Sequence, residues 1–418
     1  MRGWVHLIGS LLAVSVLGAC GGGASGRPTD VASPAATPTA SASARPAPTP
    51  APSAAPSPAA TAPPTPTPTP APTPTPAPTT LNCPPVPPSG ATSSSAVHPV
   101  FAWQRNWQSC DVTFDSRMHG TRLYGTLFAP ADRDLSGLVL PAVVITPASG
   151  GGDESMYHWA ARDLAGHGYI AVTVDPQGVG RSPGTAPAQD LNNYADATVS
   201  ALDFLLSARN PLHAHVDRAR LGAAGHSLSA RALSWQQGED VRLRAIVAWD
   251  NLSSTRHGDR GTPSQGGLGG ALFSGELMRP NAPVAPRVPA MGQASDDPGT
   301  GASDPERKKF AYEHWRRAGI GTMQLVMRDL PHEAWAQYAT QGSAADSLRL
   351  QRLAHLTRAW FDLWLREDDA ALTRLTSRRV LGEDAAAVYS ATFRSALYLP
   401  SLGIDCPDLF AEGCLRSD

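Results

Sequence analysis

Ser227 lies in the run Gly225-His226-Ser227-Leu228-Ser229, between a strand-like stretch (RARLGAA) and a helix-like one (ARALSW). A tight strand-to-helix turn lifts a serine hydroxyl clear of the sheet, and small flanking residues let the helix approach the strand. The residue types suit nucleophilic catalysis, but a serine there is also a common helix N-cap. A serine hydroxyl becomes a good nucleophile only when a base takes its proton, and the base must be oriented by a third group. Downstream, Asp329-Leu330-Pro331-His332 follows the strand-like TMQLVMR. The other later histidines are His257, in a glycine-rich stretch, and His314 and His355, within helical patterns. Carboxylates that end strand-like runs are Asp250, after AIVAW, and Asp296 and Asp297, after Val288-Pro289-Ala290-Met291-Gly292-Gln293. Metal and phosphate chemistry find no support. Ala336 stands where a zinc helix beginning at His332-Glu333 would need its second histidine, and there is no G-x-x-x-x-G-K-[ST] loop.

These residues sit in a pattern in which strands and helices alternate. Residues 122–129 read as a strand, 138–146 (LVLPAVVIT) as a buried strand, 154–166 as a helix and 169–174 as another buried strand. Residues 190–208 form an amphipathic helix pattern, 220–225 a strand leading into Ser227, and 229–237 a helix. Further strands are expected at 244–249, 288–291 and 322–328, with helices at 305–318 and 344–366. Alternation of this kind implies crossover connections and a mostly parallel sheet with helices on both faces, the α/β class. Chemistry then gathers at the carboxyl ends of the strands. Residues 252–287, rich in glycine and proline, read as a surface excursion.

The stretch from Val139 to Asp362 resembles the α/β-hydrolase superfamily, in particular secreted dienelactone-hydrolase-like and cutinase-like serine esterases. The resemblance rests on Pro147 to Gly168-Tyr169, the corner at Ser227, the Asp296 loop and His332. The motif departs from G-x-S-x-G at its last position, where Ser229 replaces glycine. The resemblance implies an α/β-hydrolase fold and cleavage of carboxylic esters through an acyl-enzyme, without metal or cofactor. The superfamily order is Ser, acid, His. It implies Ser227 as nucleophile, His332 as base and Asp296 as the acid behind it, with Asp250 and Asp297 as rivals. It also implies that the backbone N–H groups of Leu228 and Ser149 hold the oxyanion, with Gly150 the alternative to Ser149. A peptidase, amidase or thioesterase with the same triad, or a binding module keeping the fold without the chemistry, remain competing readings. Asp175 to Ser182 resembles the superfamily's D-x-x-G-x-G-x-S segment and is read as structural. Tyr157, His158 and Trp159 line either a substrate pocket or the core.

The amino-terminal part reads differently. Arg2 precedes an apolar stretch from Trp4 to Ala19, short for a membrane span and shaped like a signal peptide. Its end, Leu17-Gly18-Ala19-Cys20, resembles the lipobox of bacterial lipoproteins, which implies lipidation of Cys20. The expected organisation is a signal peptide over 1–19, the lipidated cysteine and a Pro/Thr/Ala-rich linker over 20–80, and a hydrolase domain over 81–418. A proline-rich chain of this kind is semi-stiff; some 60 residues at roughly 3.1 Å each reach about 180 Å. The expected location is the bacterial cell envelope, with the membrane as partner only through the lipid and an ester as the substrate. Without Cys20, four of the five cysteines remain, an even number suited to an oxidising compartment. Cys83–Cys110 and Cys406–Cys414 are the expected pairs, because each closes a short loop near one end of the domain. The net charge of −2, with Lys and Arg scattered, argues against a nucleic-acid partner.

Overall fold

Apolar runs buried on both sides form the centre of a single sheet. The structure, a computed structural model, describes residues 77–89, 98–185, 190–250, 252–256, 282–297, 305–338 and 342–416. The leader, Cys20 and nearly all of the linker lie outside the described residues, as do residues 257–281 of the glycine-rich excursion. The described residues belong to one unit, 72–418.

The strands are β1 (Trp107–Asp115), β2 (Arg122–Pro130), β3 (Leu140–Thr146), β4 (Ile170–Val174), β5 (Val216–His226), β6 (Leu243–Trp249), β7 (Ala290–Ser295) and β8 (Thr322–Met327). A two-stranded ribbon, β9 (Arg379–Val380) with β10 (Glu383–Asp384), stands apart, and β11 (Ala396–Leu399) and β12 (Ile404–Cys406) extend the main sheet. Its order is β1-β2-β4-β3-β5-β6-β7-β8-β11-β12. Strands β4, β3, β5, β6, β7 and β8 run parallel, and the strands at both margins pair antiparallel. This is the α/β-hydrolase fold expected from the alternation of patterns.

Helices α1 (His158–Gly166), α2 (Leu191–Leu206), α3 (Leu228–Glu239), α4 (Pro305–Arg317) and α5 (Ala344–Leu365) make the crossovers and the outer layers. Shorter α6 (Ala370–Thr376) and α7 (Ala385–Val388) follow. Side chains alternate across each strand. Val143 and Ile145 accordingly join the core beneath α1 and α5, while Ala142 and Val144 join the core beneath α2, α3 and α4. The caps follow local sequence. Asp190 accepts the Asn192 N–H at the start of α2, and Ser343 with Asp346 forms a capping box at the start of α5.

Several boundaries differ from the sequence reading. Residues 154–166 divide into a 3-10 turn (Glu154–Tyr157) and α1. The strand expected at 288–291 runs instead over Ala290–Ser295. Strand β1 and the carboxyl-terminal β11 and β12 were not foreseen. β1 is an edge strand with a half-exposed pattern, and β11 is only four residues long, so neither carries a strong apolar run. Both expected disulfides are present, Cys83–Cys110 and Cys406–Cys414. The first joins residues just after the linker to edge strand β1. There Leu81 N–H also donates to Gln108 Oε1. Among the described residues, no helix is long and apolar enough to cross a membrane.

Candidate active site

The corner between β5 and α3 is as sharp as its residues suggested. Ser227 has φ 58° and ψ −113°, a conformation that costs on the order of 1–3 kcal/mol for a residue with a side chain. Its hydroxyl makes no cap to α3, so the N-cap alternative fails. Gly225 is required by packing. A Cβ there would lie 2.9 Å from the Ser229 carbonyl carbon and 3.0 Å from its Cβ. Ser229, the departure from the motif, is fully accommodated, and its hydroxyl donates to the Pro147 carbonyl. The departure therefore pins the start of α3 to the loop after β3.

His332 follows β8 and brings Nε2 to 2.9 Å from Ser227 Oγ. Behind the ring stands Asp250, not Asp296. Asp250 Oδ2 lies 2.5 Å from His332 Nδ1, and the carboxylate is fully buried. Asp250 caps the end of β6 with φ 55°, and its N–H donates to the Gln293 carbonyl at 2.6 Å. This turn aims the side chain across the end of β7, where the Ser295 N–H donates to Oδ1 at 3.0 Å. Asp296 has a different task. Its Oδ1 accepts the Asp329 N–H at 2.6 Å, tying the loop after β7 to the loop after β8. The expectation for the acid is corrected accordingly: two strands end in aspartates, and the backbone turn at Asp250 brings its carboxylate to the ring.

Two residues of this site escaped the sequence reading. His226, fully buried, sits between the histidine loop and the loop after β3. Its Nε2–H donates to the His332 carbonyl at 2.9 Å, and its Nδ1 accepts from Tyr157 Oη at 2.7 Å. Tyr157 Oη in turn accepts the Ala148 N–H at 3.1 Å. Burial, then the neighbouring His332 and Lys308 charges, hold the His226 imidazole well below its ordinary value, so it stays neutral. Lys308 of α4 is the second; its side chain is 5% exposed and its ammonium pairs with Asp250 Oδ1. The signal for it was present, since Lys308, Ala311, Tyr312 and Trp315 fall at helical i, i+3, i+4, i+7 spacing and are all buried. A lysine within an apolar stripe demands an anion.

The other residues singled out in the sequence lie around these groups. Leu228 opens α3, where the first N–H groups have no partner within the helix. Ser149 lies in the loop held by Tyr157 and Ser229 through its neighbours Ala148 and Pro147. Tyr157 and Trp159 are core residues, and His158 meets Glu154 at 2.6 Å. The Asp175 segment is structural: the buried Asp175 carboxylate accepts the N–H groups of Glu154 and Arg181, each at 2.8 Å.

Comparison with known proteins agrees with this geometry. Residues 108–259 match the family described as PET hydrolase-like, a stretch that contains Ser227 and Asp250 and ends before His332. Over an alignment of 129 residues the chain is 33% identical to thiohydrolase apmlB of Arthrinium phaeospermum, covering 28% of this chain and 40% of that protein. The chain thus spans well under two thirds of this relative's length. By its sheet order, its strand-to-helix corner and these matches, the chain has the α/β-hydrolase fold and resembles the PET hydrolase-like family.

Proposed function

We propose that the protein is a serine hydrolase that cleaves carboxylic esters through an acyl-enzyme, with Ser227, His332 and Asp250 as its triad. The carrying observation is the unbroken hydrogen-bonded chain from Ser227 Oγ through the His332 ring to a buried carboxylate. In this reading Nδ1–H donates to Asp250, which leaves Nε2 as the base. Ser227 Oγ attacks the ester carbonyl carbon while Nε2 takes its proton. The Leu228 and Ser149 amides receive the developing oxyanion at the positive end of α3. His332 then protonates the departing alcohol oxygen. Water attacks the acyl-enzyme by the same proton path, releasing the acid and restoring Ser227.

The matched family's description favours ester substrates, and the relative's name adds thioesters as a second class. Both present an acyl carbon to the nucleophile, with an alcohol or a thiol departing once the histidine protonates it, so the same triad serves both. We further propose that Cys20 is lipidated and that the proline-rich segment holds the hydrolase domain away from the cell envelope. This rests on the sequence from Trp4 to Cys20. Replacing Cys20 by alanine should move the protein from the membrane fraction to the medium; retention in the membrane would refute the anchor.

The test of the chemistry is covalent labelling with a fluorophosphonate, paired with turnover of acyl esters, thioesters and amides of rising chain length. Labelling of the wild type that disappears in Ser227→Ala, with ester or thioester turnover, is expected. Absence of labelling, or labelling that persists in Ser227→Ala, rejects the mechanism and leaves a binding module. Faster turnover of amides than of esters rejects the substrate class alone.

A further inference from the structure

Asp250 has two carboxylate oxygens, and each has its own cation or proton donor. Oδ2 faces His332 Nδ1, while Oδ1 takes the Ser295 N–H and the ammonium of Lys308. The carboxylate is fully buried and Lys308 almost so. A charge in such a place must be paired, because its separation from water is expensive. This is no surface ion pair of negligible effect.

We propose that Lys308 is a positioning residue of the triad, which fixes the Asp250 carboxylate on His332 and offsets part of the negative charge that the imidazole feels. The proposal rests on the triad reading above. Nothing in the sheet requires a lysine at that point of α4, since its neighbours along the stripe are Ala311, Tyr312 and Trp315. Among the described residues, the anion that its ammonium pairs with is the carboxylate that orients the base.

The consequence is a shift in the working pH. A bare buried aspartate stabilises the imidazolium and so raises the pH at which His332 becomes a free base. An ammonium on the far oxygen acts against this and keeps His332 available at lower pH. The other titratable groups around the ring do not substitute for it. His226, whose ring centroid is 4.9 Å away, is buried and neutral. Tyr157 reaches the site only through His226, and burial raises its phenol well above the ordinary range. Asp296, Asp329 and Glu333 sit in the flanking loops, with Asp296 bound to the Asp329 backbone. Lys308 is thus the cation that pairs with the triad's acid among the described residues.

The experiment measures kcat/KM for a p-nitrophenyl ester against pH, using the full chain in wild-type, Lys308→Met and Lys308→Arg forms. Fluorophosphonate labelling of Ser227 is run on each. Lys308→Met should move the acid limb upward by about one pH unit, as loss of a nearby charge in a partly polar interior does. Lys308→Arg, which keeps the charge, should leave the limb near its wild-type position. An unmoved limb in a labelled, folded Lys308→Met protein overturns the proposal, as does an equal shift in Lys308→Arg. Should Lys308→Met not fold, Lys308→Gln, which removes the charge but keeps a donor for Asp250, decides. Its acid limb should move upward in the same way, and an unmoved limb overturns the proposal. Failure of wild-type labelling is a separate outcome, which removes the triad reading itself.

Discussion

Asp250 and Asp296 show how little separates an orienting carboxylate from a structural one. Both follow a strand, and both accept a backbone N–H, from Ser295 and Asp329 respectively. Only Asp250 meets the imidazole, and it does so from full burial. Asp250→Asn should therefore lower kcat on the order of 10⁴-fold, because an amide in that place favours the wrong tautomer of the histidine. Asp296→Asn keeps an oxygen for the Asp329 N–H and should leave turnover within a few-fold of wild type. Steady-state kinetics on the two variants decides between them. The reverse ranking would restore Asp296 as the acid.

The β5–α3 corner and the loop after β3 work as one unit. The Ser229 hydroxyl holds the Pro147 carbonyl, the Tyr157 hydroxyl holds the Ala148 N–H, and His226 joins Tyr157 to the His332 backbone. These four bonds fix the relative positions of nucleophile, base and the amide at Ser149. Ser229→Gly, which restores the commoner motif, should therefore lose rather than gain. The Pro147 carbonyl forfeits a partner and a helix start gains a flexible residue, together worth about 1–2 kcal/mol of stability. Chemical denaturation reads the loss, and an unchanged or higher stability would show that the hydroxyl tether is idle.

Across the whole domain, a buried charge network behind the active-site loop links sheet and crossover. Glu154 takes hydrogen bonds from Thr126, Thr173 and Arg181 and faces His158. Burial alone would raise its carboxyl, but His158, Arg181 and Thr173 outweigh that and hold it at about 2. A folded-state value below the unfolded one stabilises the protein above the ordinary carboxylate range and is lost as pH falls towards 2. Asp175 beside it, pushed upward by burial and by the Glu154 charge, has the opposite sign and softens the acid loss. Glu154→Gln should cost stability on the order of 3 kcal/mol at neutral pH, and the gap to wild type should close as pH approaches 2. A gap independent of pH would mean that Glu154 acts by shape and not by charge.

The parallel centre of the sheet and the serine corner were legible in the chain because they depend on neighbours in sequence. Val143, Val144 and Ile145 form a buried strand by composition, and Gly225 lets α3 follow Ser227 at once. The pairing of the four domain cysteines was legible for the same reason, since each pair closes a short loop. Edge strand β1 and the short β11 and β12 were not, because their stability comes from strands already in place. The acid of the triad and the lysine behind it were hidden for a related reason. Asp250 and His332 are 82 residues apart, and Lys308 is 58 residues from Asp250. Their meeting is settled by sheet order, by one positive-φ turn and by the packing of α4 on the sheet; the stripe on α4 marks Lys308 as buried but not the anion it meets.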